Sequence, residues 1–339
     1  MKLYAGIDLH STNSYIGIID ENSRRVMGRR FPNDKGAILD ALVPYKSEMA
    51  GVVVESTYNW YWIVDALMDK DYRVHLANPA AMKQYEGIKY LNDKHDAFWL
   101  SEMLKLGILP EGYIYPRESR GIRDFLRQRS RLVAKRTAFK YMLQQISSNQ
   151  SGINLSNNKL ERMKDADVVE LFEEEEWVLH GRSLLEILQF LKQQIDKIER
   201  YVLAKMKRDW TYAGLQTVPG IGEVLGLTIA LETGPIGRFA SAGQYASYCR
   251  CVPSAYWSNG KKKGQGNQRS GNKYLSWAYA EAANFCIRFC PEAKKYYQRK
   301  MAKTNQPSAY RAMANKLSKA CYFIMRDRSQ FDVTKLFGG

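Results

Sequence analysis

Four carboxylates in the first third of the 339-residue chain have the types and spacing for metal chemistry. Asp8 ends the first apolar run, in Gly-Ile-Asp, and Glu55 ends a second, in Val-Val-Val-Glu-Ser. Asp93 and Asp96 stand three apart in Asn-Asp-Lys-His-Asp-Ala, a spacing that puts both on one face of a helix. An ionised carboxylate at the end of a buried strand is strongly disfavoured unless something compensates it. Hard oxygen ligands converging at one end of a sheet suit Mg²⁺. Two such ions about 3.5–4 Å apart can activate a nucleophile and steady the leaving oxygen of a phosphodiester. Each acid alone also has a structural explanation: Asp93 as a helix N-cap, Asp96 as a first-turn acid, Glu55 as a surface strand end. The ordered set of strand acid, strand acid and helix pair favours the metal reading. His10 and His95 flank these positions but are left out, because a solvent-facing histidine is the commoner case.

The elements that must position these acids follow from the apolar pattern. Residues 3–9, 15–20 and 25–31 predict three strands, the last two joined by Glu-Asn-Ser turn chemistry. A helix over 34–45 with Asp34 as N-cap, a strand over 51–55, a helix over 56–68, a strand over 72–76 and a helix over 93–106 come next. This order predicts a mixed α/β sheet. Tyr58, Trp60 and Trp62 are expected to pack in the core or a lid, with base stacking as the alternative. Beyond Arg117 the strand signals vanish. Residues 117–147 predict one long helix with Arg117, Arg120, Arg123, Arg127, Arg131 and Lys135 mostly on one face, and Arg120, Arg123 and Arg127 are candidate nucleic-acid contacts. Leu184, Leu188, Leu191, Ile195, Ile198 and Val202 form an alternating four-three seam. It suits a coiled-coil hairpin, a dimer contact or packing within the same chain.

Composition narrows the partners. The net charge is +16, and 18 basic against 4 acidic residues fall in 250–339, while 1–116 holds 13 against 15. A basic region interleaved with aromatic rings suits a polyphosphate partner, since counterion release drives affinity and rings offer stacking surfaces. No run of about 18 apolar residues occurs, so no membrane partner is expected. The opening Met-Lys-Leu-Tyr-Ala-Gly-Ile-Asp places a charge where a signal peptide needs an apolar stretch, so a cytoplasmic location is expected. Five cysteines without histidine neighbours predict reduced thiols, neither a disulfide framework nor a zinc site.

The last region opens with Thr-Val-Pro-Gly-Ile-Gly at 217–222, which resembles a helix-hairpin-helix turn. Backbone N–H groups at Gly220 and Gly222 would then grip a phosphate at a helix N-terminus. The polar, glycine-rich stretch 258–271 predicts a mobile loop, and helices over 272–289, 291–303 and 307–326 finish the chain.

Asp8, Glu55, Asp93 and Asp96 in this order resemble the DEDD tetrad of RuvC-like, ribonuclease-H-fold nucleases. With Val-Pro-Gly-Ile-Gly and the basic serine-bearing loop, nearly the whole chain resembles the DEDD transposases of bacterial insertion sequences, the bridge-RNA-guided recombinases related to pilin-gene invertases. The resemblance implies a RuvC-like catalytic domain over 1–116, a helical coiled-coil region over 117–210 and a C-terminal transposase domain over 211–339. It implies that the tetrad binds Mg²⁺, with Mn²⁺ as a substitute. It also implies that a serine attacks DNA and forms a phosphoserine link. Ser258, five residues after Pro253, matches the nucleophile position, with Ser270 and Ser254 as alternatives. Lys261, Lys262 and Lys263 would calm the phosphorane-like charge, and Arg269 and Lys273 would touch phosphate. The expected partners are element-end and target DNA, a structured guide RNA, and further copies forming a homodimer and then a homotetramer, in a nucleoid-associated setting. A structure-specific nuclease that uses water, or a non-catalytic nucleic-acid-binding scaffold, remains the alternative.

Overall fold

The computed structural model describes residues 1–57, 59–82, 93–254, 256–264 and 270–338. The chain divides into two compact units, Met1–Arg117 and the bulk of the remainder, Glu118–Gly264 with Gly271–Gly339.

In the first unit, β1 (Leu3–Leu9), β2 (Asn13–Asp20), β3 (Arg25–Pro32), β4 (Met49–Glu55) and β5 (Val74–Ala77) form one sheet in the order β3-β2-β1-β4-β5. β1, β2 and β3 are antiparallel neighbours, and β1, β4 and β5 run parallel. Helices α1 (Lys35–Leu42) and α2 (Tyr61–Met68) cover one face. There Leu3, Ala5, Ile7 and Leu9 of β1 pack with Ile38, Leu42, Ile63, Val64 and Leu67, and Trp60 and Trp62 border this core. Asp34 caps α1 by accepting from the Ala37 N–H at 2.7 Å. The helix ends at Leu42, short of the expected Tyr45, because Pro44 has no N–H to continue it and a 3-10 turn takes over. Helix α2 starts at Tyr61, later than expected, and Asn59 ahead of it reaches the acid cluster described below.

Helix α3 (Asp93–Leu106) covers the opposite face. Three glycines in register, Gly6, Gly17 and Gly28 on β1, β2 and β3, let it settle onto the sheet. A Cβ on Gly6 would lie 2.0 Å from the Ala97 carbonyl, and Cβ atoms on Gly17 and Gly28 would lie 2.9 and 2.8 Å from the Phe98 ring. Ser101 Oγ completes the seat by donating to the Gly17 carbonyl at 2.8 Å. Strand residues two apart share a face, so Asp8 points to the α3 side with Gly6, and Glu55 does so with Val53, which packs against Leu100 and Met103.

Among the described residues, the second unit is helical apart from one small hairpin. Helices α4 (Arg117–Ser151), α5 (Asn157–Arg162), α6 (Asp165–Leu171) and α7 (Glu175–Met206) form a long antiparallel pair with a capped tip. Arg129 meets Glu199 at 2.7 Å, and Arg136 reaches the Leu188 carbonyl at 3.2 Å. All six residues of the predicted seam are buried. Leu184 and Leu188 pack with Leu143, Leu155 and Leu160, while Ile198 and Val202 pack with Leu126, Leu227 and Leu231. The seam is therefore filled within its own chain.

The remaining helices are α8 (Trp210–Leu215), α9 (Glu223–Thr233), α10 (Ala242–Tyr248), α11 (Lys273–Phe289), α12 (Pro291–Lys303), α13 (Gln306–Asp327) and α14 (Val333–Phe337). They share one core, crossed by a buried hydrogen-bond chain from Thr233 through Tyr245 to Tyr279, each link 2.8 Å. All five cysteines lie here as free, buried thiols. No described helix is long and apolar enough to cross a membrane.

Candidate functional site

The ends of β1 and β4 and the start of α3 bring the predicted acids together. Asp8 is 3% exposed. Its Oδ2 lies 3.1 Å from His10 Nε2, which lies 3.2 Å from Asp93 Oδ1. Asp93 also receives the Arg30 guanidinium. His10, set aside in the sequence because it looked like a surface histidine, thus bridges two of the four acids. Its backbone carbonyl accepts from Asn33 Nδ2 at 2.9 Å and Asn59 Nδ2 at 3.1 Å, so loops after β3 and β4 both pin it. The signal was present: His10 lies two residues after Asp8, a strand spacing that returns a side chain to the same side.

The electrostatics mark a crowded anionic site. Burial, then the neighbouring Asp8, push Glu55 up to about 7. Asp8 is raised as well, by burial and by the charges of Asp96 and Asp93, against the pull of His10. Burial also opposes ionisation of Asp93, but His10 and Arg30 outweigh it and hold Asp93 below the usual carboxylate range. Asp96 lies 3.6 Å from His95 Nδ1. Asp8 Oδ2 is buried and faces His10, and the Asp8 and Glu55 carboxyls interact directly. Asp8, His10 and Asp93 offer ligand atoms within 4.8 Å of one another, a set that can hold a metal ion. A buried carboxylate among mutually repelling acids is the electrostatic complement of a divalent cation.

In the second unit, β6 (Tyr256–Ser258) and β7 (Lys261–Gly264) pair as an antiparallel hairpin. The stretch expected to be a mobile loop therefore contains ordered strands. Asn259 and Gly260 form its two-residue turn with φ of 52° and 71°, the positive-φ pair that this tight hairpin turn requires. Asn-Gly is the strongest short-range hairpin signal, and the polar composition obscured it. Ser258 is exposed at the end of β6, directly across from Lys261. Lys261 and Lys263 are exposed. Arg269 and the Lys262 side chain lie outside the described residues, as does Tyr58. Ser254 is half-buried and Ser270 exposed. The cap of α11 is Asn272, which accepts from the Tyr274 and Leu275 N–H groups. Lys273 is exposed, with its ammonium 5.3 Å from the Tyr274 ring.

Other candidate contacts have different surroundings from those the sequence suggested. Arg120 and Arg123 are buried, at 5% and 8% exposure, so this row turns into the protein where a solvent-facing strip was expected. Arg127 is paired with Glu232, and the exposed cations farther along α4 are Arg131 and Lys135. Helical spacing shows that residues share a face but not which way the face points. In the turn before α9, Gly220 has φ of 90° and lies against the α11 backbone, where a Cβ would sit 2.4 Å from the Cys286 nitrogen. Close packing therefore accounts for Gly220. Gly222 is exposed and precedes the first residue of α9, leaving amides at that helix N-terminus open.

Comparison with known proteins divides along the same lines. A family model of DEDD transposases matches residues 5–147, which include all four acids. A model described as the Transposase IS116/IS110/IS902 family matches residues 212–298, which include the glycine turn and the serine hairpin. The chain is 25% identical over 237 residues to a Pseudomonas aeruginosa protein named "Probable family 20 transposase", covering 68% of this chain and 69% of that protein. It is 25% identical over 150 residues to the Yersinia enterocolitica "Transposase for insertion sequence element IS1328", covering 42% of this chain and 44% of that protein.

Proposed function

The chain is a DEDD transposase of insertion sequences, an enzyme that acts on DNA, and on that premise we propose that it cuts and rejoins DNA strands through a covalent serine intermediate. The observation that carries the metal half of this reading is the convergence of Asp8, His10 and Asp93 ligand atoms within 4.8 Å of one another, beside a Glu55 carboxyl pushed up to about 7. The sheet order supports a RuvC-like reading of the first unit. Asp8, Glu55, Asp93 and Asp96 would hold Mg²⁺, or Mn²⁺ in its place, with His10 as a neighbour able to join the set. The ions would supply positive charge at the phosphate and lower the pKa of a bound oxygen nucleophile or leaving group.

Ser258 Oγ is the proposed nucleophile. It forms a bond to phosphorus as one bridging P–O bond of the phosphodiester breaks; the serine loses its proton and the departing DNA oxygen gains one. Attack by a DNA hydroxyl on the phosphoserine reverses these changes, restores a phosphodiester and frees the serine. Lys261, across the hairpin, places a cation beside the phosphate oxygens as charge builds on them. Guide-RNA selection of the target and assembly from dimer to tetramer belong to the same reading, as does backbone contact by Gly222, Lys263 and Lys273.

The test is incubation of the full-length protein with element-end DNA and Mg²⁺, followed by denaturing gels. A protein–DNA adduct lost in Ser258→Ala supports the serine mechanism. Cleavage without an adduct moves the chemistry to water, and an adduct retained in Ser258→Ala moves the nucleophile to Ser270 or Ser254.

A further inference from the structure

The second unit contains a cleft of about 1150 Å³, lined by Cys251, Val252 and Pro253, by α13 and by the segment from Ser329 to Leu336. That exceeds the roughly 300–1,000 Å³ typical of small-molecule pockets. Its charge is one-sided. Lys300, Arg311, Lys316, Lys319 and Lys335 line it, and none of these is held in an ion pair among the described residues. The two acids in its wall are already engaged. Asp327 binds Arg326, at 2.6 Å, and Asp332 caps α14 by accepting from the Thr334 and Lys335 N–H groups. Around Tyr296 the cleft continues into a smaller hollow that adds Arg299 and Lys303. Burial, followed by the charges of Lys300 and Arg299, pushes Lys316 below the ordinary lysine range. Such crowding of cations is unfavourable unless an anion relieves it.

Aromatic rings give the cleft a second character. Tyr296, Phe323 and Phe331 line it, and Phe323 is 44% exposed. Cations for a backbone together with ring faces for bases are the recognition pattern of unpaired nucleic-acid strands. Asn315 Nδ2 donates to the Cys251 carbonyl at 3.3 Å and ties the cleft wall to α13. From Pro253 at this wall, the chain reaches Ser258 five residues later.

We propose that this cleft holds the backbone of the unpaired DNA strand presented to Ser258. The choice of DNA rests on the serine reading above, whereas the affinity for an unpaired strand follows from the cleft alone. Lys300, Lys316 and Lys319 contact successive phosphates, and Phe323 stacks on a base.

The test compares the full-length protein with K300Q/K316Q/K319Q, using anisotropy of a labelled 20-nucleotide DNA strand, its duplex and the matching RNA over a range of salt. Removing three phosphate contacts should reduce the single-strand salt slope by about 2 and weaken binding roughly tenfold or more, with a smaller effect on duplex. An unchanged slope, a loss as large on duplex, or a loss larger on RNA than on the DNA strand overturns the proposal. Phe323→Ala, which leaves the charge of the cleft unchanged, should abolish photocrosslinking of 5-iododeoxyuridine DNA to α13; undiminished crosslinking overturns the stacking role. Single-strand binding that follows these expectations in a protein that forms no Ser258 adduct refutes the serine reading alone. Normal binding and full adduct yield in the triple variant refute the cleft alone.

Discussion

Glu232 and Arg127 form a two-pronged ion pair across 105 residues of sequence, with Nε–Oε1 at 2.6 Å and Nη2–Oε2 at 2.7 Å. The Glu232 side chain is 2% exposed, and its Oε2 also accepts from Asn272 Nδ2 at 2.7 Å. The pair therefore ties α4 to α9 and to the residue that caps α11. Burial opposes the charge on Arg127, but the hydrogen bonds and charge of Glu232 outweigh it and hold the guanidinium protonated.

Arg127→Ala should leave Glu232 as an uncompensated buried charge and destabilise the protein by about 3 kcal/mol. Thermal melts of Arg127→Ala and of Arg127→Ala with Glu232→Gln test this. The double variant should recover a substantial part of the loss. A single variant with wild-type stability and weakened nucleic-acid binding would return Arg127 to the ligand-contacting surface.

Acidity at the carboxylate cluster should couple metal binding to pH. The Glu55 pKa in the folded protein is about 7, against an ordinary 4.5. Without metal, the stabilisation from its bound proton is full below about 4.5 and is lost as pH rises through about 7. A divalent cation must displace that proton below about 7, so its affinity should rise with pH, by at most about tenfold per unit for one proton, and level off above 7. Melting temperatures in EDTA and in MgCl₂ across pH 5 to 9 check this. Asp8→Asn should raise the metal-free melting temperature at pH 8 and remove the gain from Mg²⁺.

Gly260→Ala should slow adduct formation while sparing the fold. A Cβ at Gly260 meets nothing within 4 Å, so the cost is the left-handed backbone at φ 71°, about 1–2 kcal/mol. That corresponds to roughly a 5- to 30-fold loss of properly turned hairpin. Single-turnover capture of DNA should fall by this factor with little change in melting temperature. An unchanged rate would separate the hairpin from the chemistry.

Gly17→Ala should act on the acids from a distance. The new methyl would press on the Phe98 ring of α3 and cost about 1–3 kcal/mol as overpacking. Because α3 carries Asp93 and Asp96, metal affinity should fall together with stability. Phe98→Leu in the same chain should restore part of both, whereas a Gly17→Ala protein with wild-type metal affinity would uncouple the seat of α3 from the cluster.

The acids were legible because each obeys a rule that needs no long-range information: a charge ending an apolar strand, or two charges three apart on a helix. The neighbours that complete their surroundings were not. His10 and Arg30 become relevant only when β1, β3 and α3 meet, and single-residue statistics favour a surface histidine. The arginine row failed for a related reason, since periodicity is blind to the partner lying opposite. Glu232, which engages Arg127, is separated from it by 105 positions that include all of α7. The six-residue seam was correctly read as an apolar face, and only the fold showed that its own chain fills it. The hairpin around Asn259 and Gly260 was readable locally but was hidden by the low apolar content around it.

The placement of the cysteines makes the protein chemically two-toned. All five lie in the second unit, buried in its helical core, and burial pushes Cys251, Cys286 and Cys321 up to about 12. In the native state they are poor nucleophiles, and only Cys251 borders the cleft. Alkylation of the other four should therefore proceed only as fast as the helical core opens, and strand separation in the sheet-bearing unit should leave it silent. The protein carries a built-in clock for breathing of one half, readable by the mass that alkylation adds.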